Sequence, residues 1–155
     1  MADTIKIQIM EALVTDVKSV TDFDPEMVEG RPPAVIDQDT AKYPLAFVWD
    51  DTEYIEARSR LEAGTISASI AIWCEGRDYN KQAENLRGKI KERLYGDASS
   101  LRALRAVTRE IGADKFYVIL EDEEDDSILG LGGLTMRLEI RYLTKYADPF
   151  TQLNY

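Results

Sequence analysis

The 155-residue sequence predicts an α+β fold: a single mostly antiparallel (mixed) β-sheet with two main helices on one face and a long β-hairpin in the C-terminal half. Three observations predict it. Residues 132–146, GGLTMRLEIRYLTKY, put Leu134, Met136, Leu138, Ile140 and Tyr142 on one side and Thr135, Arg137, Glu139 and Arg141 on the other. Residues 65–74, TISASIAIWC, alternate in the same way, with Ile66, Ala68, Ile70, Ile72 and Cys74 on the apolar side. A period of two belongs to half-buried strands. Residues 78–95 instead repeat Tyr79, Ala83, Leu86, Ile90 and Leu94 at helical spacing. Strands with one apolar face need helices to cover it.

Taken in order, residues 3–20 are predicted helical, because Ile5, Ile9, Ala12, Leu13, Val17 and Val20 recur three and four apart. Ile5, Ile7 and Ile9 also alternate, so a short strand competes; the longer pattern favours helix. Asp3 or Thr4 can cap the first turn. In residues 21–42, Asp22, Asp24, Pro25, Gly30, Pro32 and Pro33 break regular structure, leaving room for one helical turn at 25–28. This is a long loop within one domain spanning 1–155, against a usual ~4–6 residues. Such a loop has reach.

Residues 43–49, YPLAFVW, read as a strand, Asp50-Asp51 as a turn, and 52–57 as a segment pairing back. The small side of 65–74 (Ser67, Ser69, Ala71) suits close approach of a helix or a neighbouring subunit, and Gly76 ends that strand. Asp78 is placed to cap the helix that follows and Gly96 to end it, with Lys81, Arg87, Lys89, Lys91 and Arg93 outside. Residues 101–111 are ambiguous, becoming strand by Val107, Arg109 and Ile111; 116–120 is a strand. Residues 121–133 form an acidic, glycine-bearing hairpin tip. The last strand is expected to start at Gly132-Gly133 and stop at Asp148-Pro149. At ~3.4 Å per residue it spans about 45 Å, against a typical ~5–6 residues, so it is expected to outrun its own domain.

Composition narrows the function. With 29 acids, 19 bases and no histidine, the formal net charge is −10. That argues against a duplex-binding surface, which needs a basic stripe, and removes the commonest general base. One cysteine, Cys74, excludes an internal disulfide and a multi-cysteine zinc site. No apolar run approaches the ~18–20 residues of a membrane span, and the start lacks a secretory signal. A protein kept in a reducing cytoplasm is expected.

Few residues look like chemistry. The acid run Glu121, Asp122, Glu123, Glu124, Asp125 and Asp126 could hold magnesium or calcium, but lacks the alternate acids, glycine and terminal glutamate of a calcium loop. A solvated hairpin tip is the simpler reading. Gly130, Gly132 and Gly133 precede a strand without a P-loop lysine, so they read as strand entry. Cys74 falls on an apolar strand face and has no histidine to activate it, which suits packing. Ser67 and Ser69 have no elbow signature. Glu84 and Glu92 interrupt the basic residues 87–93, which read as a solvated helix face or else a subunit contact. No nucleophile, base and oxyanion group come together; no enzyme activity, cofactor or metal is expected. The rival is a small cytoplasmic metal-dependent enzyme or regulator using the acid run for Mg²⁺.

The layout resembles the tail terminator (tail completion) proteins of tailed bacteriophages, the lambda minor tail protein U-like proteins included. An opening helix leads into a long loop, TISASIAIWC is followed by the helix DYNKQAENLRGKIKERLY, and paired strands with a charged tip end in MRLEIRYLTKYADPF. The resemblance spans nearly the whole chain as a pattern of elements. It implies a structural virion protein that forms a ring with copies of itself, usually a hexamer. Such a ring sits on the last ring of tail tube protein, stops tube growth and offers a surface to the head–tail connector or neck protein. It implies the virion, and the host cytoplasm during assembly, as location, with DNA only passing through the channel and no membrane. A head-side neck or adaptor protein is the alternative within the same layout. On this reading the overlong strand and the long loop cross a heterologous subunit boundary. Arg137, Arg141, Lys145 and Asp148 are then expected subunit or partner contacts, and the six acids are expected at the lumen or the tube-facing rim.

Overall fold

Thr4 opens the first helix, α1 (Ile5–Lys18), its hydroxyl accepting from the Ile7 N–H at 3.4 Å. The computed structural model describes residues 3–20, 22–23, 43–121 and 128–153. Ile5, Ile9, Leu13 and Val17 are buried, while Ile7 is 45% exposed. The helical period therefore prevails over the short Ile5-Ile7-Ile9 alternation. Residues 24–42, including the one-turn helix expected at 25–28, and the acids Asp122, Glu123, Glu124, Asp125 and Asp126 lie outside the described residues.

The remaining elements are β1 (Leu45–Arg58), β2 (Leu61–Glu75), α2 (Tyr79–Tyr95), α3 (Ser100–Ala103), β3 (Val107–Glu121), β4 (Ile128–Lys145) and β5 (Asp148–Leu153). The strands form one sheet ordered β1-β2-β4-β3, with β5 paired to β4 beyond the point where β3 begins. Every described pairing is antiparallel, so the fold is α+β, with no parallel pairing among the described residues. α2 crosses β2 and β4, and α1 lies over β1 and against α2 and α3. Both helices cover the same face, where Ile66, Ile70, Ile72, Leu134, Met136, Leu138 and Ile140 are almost fully buried.

Several boundaries differ from expectation. Asp50-Asp51 is not a turn: β1 runs through it, and residues 52–57 pair with 62–67 of β2 instead of folding back on 43–49. Asp51 is the extra residue of a bulge, held by its carboxylate accepting from the Ser69 hydroxyl at 2.6 Å and the Trp49 indole at 2.8 Å. The turn comes at Ser59-Arg60, with Ser59 at φ 54°. β3 is one strand with a bulge between Glu110 and Gly112, where two segments were expected.

Gly132 and Gly133 lie inside β4, not at its start. A side chain on Gly132 would run into the Tyr79 ring, and one on Gly133 into the Ile72 carbonyl oxygen. The strand stops at Lys145, and Asp148-Pro149 begins β5. Nor does β4 outrun its domain. β2 pairs with residues 131–145, β3 with 128–141 and β5 with 143–145, so the strand is satisfied within its own chain.

The helix cations are less free than expected. Arg87 forms an ion pair with Glu110, whose side chain is 8% exposed, and this bond holds the guanidinium above its ordinary pKa. Arg93 lies 3.7 Å from the buried Asp16. Cys74 is fully buried as expected, and burial, with Asp78 nearby, pushes its thiol up to about 11.

Candidate functional site: the open sheet face

No helix covers the second face of the sheet among the described residues, and strand register orders that face into rows. At one end Leu45, Trp73, Gly133 and Phe116 align. Because Gly133 has no side chain, Trp73 and Phe116 meet across it with ring centroids 4.6 Å apart. Leu45, Phe47 and Ala71 form a small apolar cluster there, joined by Tyr43, Trp49 and Trp73. This answers the small side of β2: wide aromatic neighbours on β1 pack beside it.

Further along, the rows turn polar. Arg137 lies opposite Gly112, which leaves room for the guanidinium, and its Nε stands 3.5 Å from Asp114. One row on, Glu139 accepts from Arg141 Nε at 2.7 Å and lies 3.6 Å from Arg109. One carboxylate thus faces two guanidiniums. The next row is Tyr54, Thr65, Arg141 and Val107; the last is Arg58, Leu61, Lys145 and Asp148.

Of the residues singled out as contacts, Arg137, Arg141 and Lys145 therefore share this one open face. Asp148 behaves differently. Its carboxylate accepts from the Thr151 hydroxyl at 2.7 Å and the Phe150 N–H at 3.0 Å, and these bonds hold it below the usual carboxylate range. It shapes the turn into β5. Glu121 closes β3, and the other five acids of the run lie outside the described residues.

Sequence reasoning missed three polar contacts on the helix side. Asp16, on the buried stripe of α1, accepts from Ser99, Ser100 and Leu101. Lys6 bridges Asp50 at 3.2 Å and Glu53 at 3.3 Å. Burial lowers its pKa, but the bonds to the two carboxylates outweigh that and raise it. Tyr142 donates to Glu53, its ring lying where Gly64 has no side chain. A polar residue on an apolar helix stripe was the available sign for Asp16; the other two depend on strand register.

Between α1 and β1, the edge strand among the described residues, runs a groove of about 900 Å³, lined in part by Ile7, Met10, Val14 and Trp49. Among the described residues no three or more of Cys, Asp and Glu are placed to hold a metal ion, and no helix is long and apolar enough to cross a membrane. No protein-family model matches the chain, and no curated protein does.

Proposed function

We propose that this chain is a structural virion protein that forms a ring, usually of six copies, on the head-proximal end of a phage tail tube. The ring stops tube growth and offers its other surface to the neck. The observation that carries this reading is the one-sided sheet. The large apolar core is built on the helix face, while the opposite face carries a small buried cluster of Leu45, Phe47 and Ala71 at one end and exposed arginines towards the other. Protein contacts are rich in arginine and aromatic side chains. The order of elements, shared in outline with tail terminators, supports the same reading, and both of the sheet's outer strands, β1 and β3, are long.

Negative-stain microscopy and mass measurement test it, on the protein alone and mixed with the tail tube protein of the same phage. A ring of about six copies is expected, as closed symmetric assemblies require, or a cap on tube ends that halts elongation. A ring matched to the head connector, binding capsid and not tube, would move the protein to the neck. A monomer that ignores the tube and melts higher with Mg²⁺ would overturn the reading.

A further inference from the structure

The two outer strands of the described sheet, β1 and β3, expose matching features at the same level. Val107, where β3 begins, shares a row with Arg141, Thr65 and Tyr54. The next row carries Ile55, opposite Gly64 and then Tyr142. Tyr142 belongs to the core under the helices, so Ile55 is on the helix side of the sheet, yet it is 53% exposed.

At that level the other edge holds a cleft. It has about 350 Å³ and opens on the helix side, with Leu94, Tyr95, Ala106 and Val107 as its apolar wall and Arg102 and Arg105 bordering it. The Thr108 hydroxyl, also in the wall, is buried without a hydrogen-bond partner. Arg105 ends α3 where glycine is usual. Its φ is 59°, its N–H donates to the Arg102 carbonyl at 2.9 Å, and the Ala106 N–H donates to the Leu101 carbonyl at 3.4 Å. A side chain in that backbone region costs stability. Arg102 and Arg109 have carboxylate partners in Asp97 and Glu139, but Arg105 has none among the described residues.

We propose that the start of β3 docks the Tyr54-Ile55-Glu56 segment of β1 from a second copy, with Ile55 seated in the cleft. Three observations select that occupant. Ile55 is apolar, exposed and on the side where the cleft opens, one row from Val107. Tyr54, on the opposite side, continues the row that ends in Val107, so one contact covers both exposed side chains. Charge agrees as well. The β1 edge carries Asp50, Asp51, Glu53 and Glu56 against Lys6 and Arg58, whereas the cleft carries Arg102 and Arg105 against Asp97. Glu56 is held only by its exposed pair with Arg58, which is worth little and leaves it open to Arg105.

The contact is between copies, because β2 and β4 separate β1 from β3, a distance of about 14 Å at ~4.8 Å per strand. Joining opposite edges makes it heterologous, and it closes into a ring when the rotation allows. The inference rests on the ring reading for that closure alone. Bulges at Asp51 and between Glu110 and Gly112 bend the two strands and keep the matched stretch short.

Sedimentation equilibrium of the full chain up to about 1 mM detects even a contact of millimolar affinity, and self-association is expected. Ile55→Glu in one variant, and Arg105→Glu with Val107→Glu in another, should each weaken it at least about tenfold. Their melting temperatures should stay within about 2 °C of the parent's. Mixed, the two variants should form a dimer and stop there, because one keeps a working cleft and the other a working Ile55. Arg105→Gly should melt ~2–4 °C higher yet associate more weakly, since glycine suits the backbone and removes the contact. A parent that stays monomeric over this range overturns the proposal, as does either variant associating like the parent or a mixture that stays monomeric. Variants that self-associate normally but no longer cap tubes would give the cleft to the tube protein and overturn it too. Association as described with tubes left uncapped would keep this contact and remove the capping reading. Normal capping by both variants would do the reverse.

Discussion

Asp16 and Ser99 lie 83 residues apart and meet at 2.8 Å inside the protein, the Ser99 hydroxyl donating to the carboxylate. The same carboxylate accepts from the Ser100 N–H at 2.8 Å and the Leu101 N–H at 3.3 Å. α3 has four residues, too few to hold itself together. The last turn of α1 supplies what it lacks. Replacing Asp16 with alanine strands several buried donors, so a loss of about 3 kcal/mol or more is expected in urea unfolding. Asp16→Asn keeps one acceptor and should lose about half as much. A change below about 0.5 kcal/mol for the alanine variant would show that α3 stands without this anchor.

The two alternating segments were legible because one side of each is buried along its length, so period and burial agree at Ile66–Cys74 and Leu134–Tyr142. Asp50-Asp51 was misread because its fate depends on Ser69, a residue of another strand. Local turn chemistry carries no trace of that bond. The glycines of β4 failed in the same way: nothing near them in sequence says that Tyr79 and Ile72 press against them. On the open face, Arg137, Arg141 and Lys145 were readable as one side of a strand. Their neighbours Asp114, Arg109 and Arg58 came only with the pairing register.

Two glycines should respond oppositely to the same change. Gly88 sits within α2 with open space where a Cβ would go. Gly88→Ala should stabilise by ~0.5–1 kcal/mol, because glycine gives up more chain entropy in a helix. Gly133→Ala drives a methyl group into the Ile72 carbonyl of the neighbouring strand, where only the backbone could yield. A loss of about 3 kcal/mol or more is expected, or no folded protein. Equal small effects at both positions in thermal melts would contradict the packing at Gly133.

Alkaline pH should weaken the fold. Cys74 is pushed up to about 11 by burial and by Asp78, and Tyr142 is raised by burial and by its bond to Glu53. Both groups are neutral below their unfolded values, ~8.5 for the thiol and ~10 for the phenol. Their stabilising contribution is whole there and is lost as pH rises through the folded values. Stability should begin to fall near pH ~9, and Cys74→Val should blunt the first part of that fall. The native thiol at pH 8 should alkylate at least about a hundred times more slowly than in urea, since only the thiolate reacts. Rapid native labelling would place Cys74 outside the core.

Arg137 separates folding from assembly. Its one described ion pair is with Asp114, and both side chains are more than half exposed, at 52% and 71%. Exposed pairs of this kind contribute ~0–1 kcal/mol, so Arg137→Ala should leave the melting temperature almost unchanged. If the open face is the subunit or tube contact, the same change should weaken ring formation or tube capping at least about tenfold, or ~1.4 kcal/mol, because a central arginine is the kind of side chain on which such contacts depend. Glu139→Gln extends the test, since that carboxylate positions both Arg109 and Arg141. It should cost ~1 kcal/mol in folding and weaken assembly by more than that, because two guanidiniums lose their place together. Normal rings from both variants would move the contact off this face, to the groove between α1 and β1.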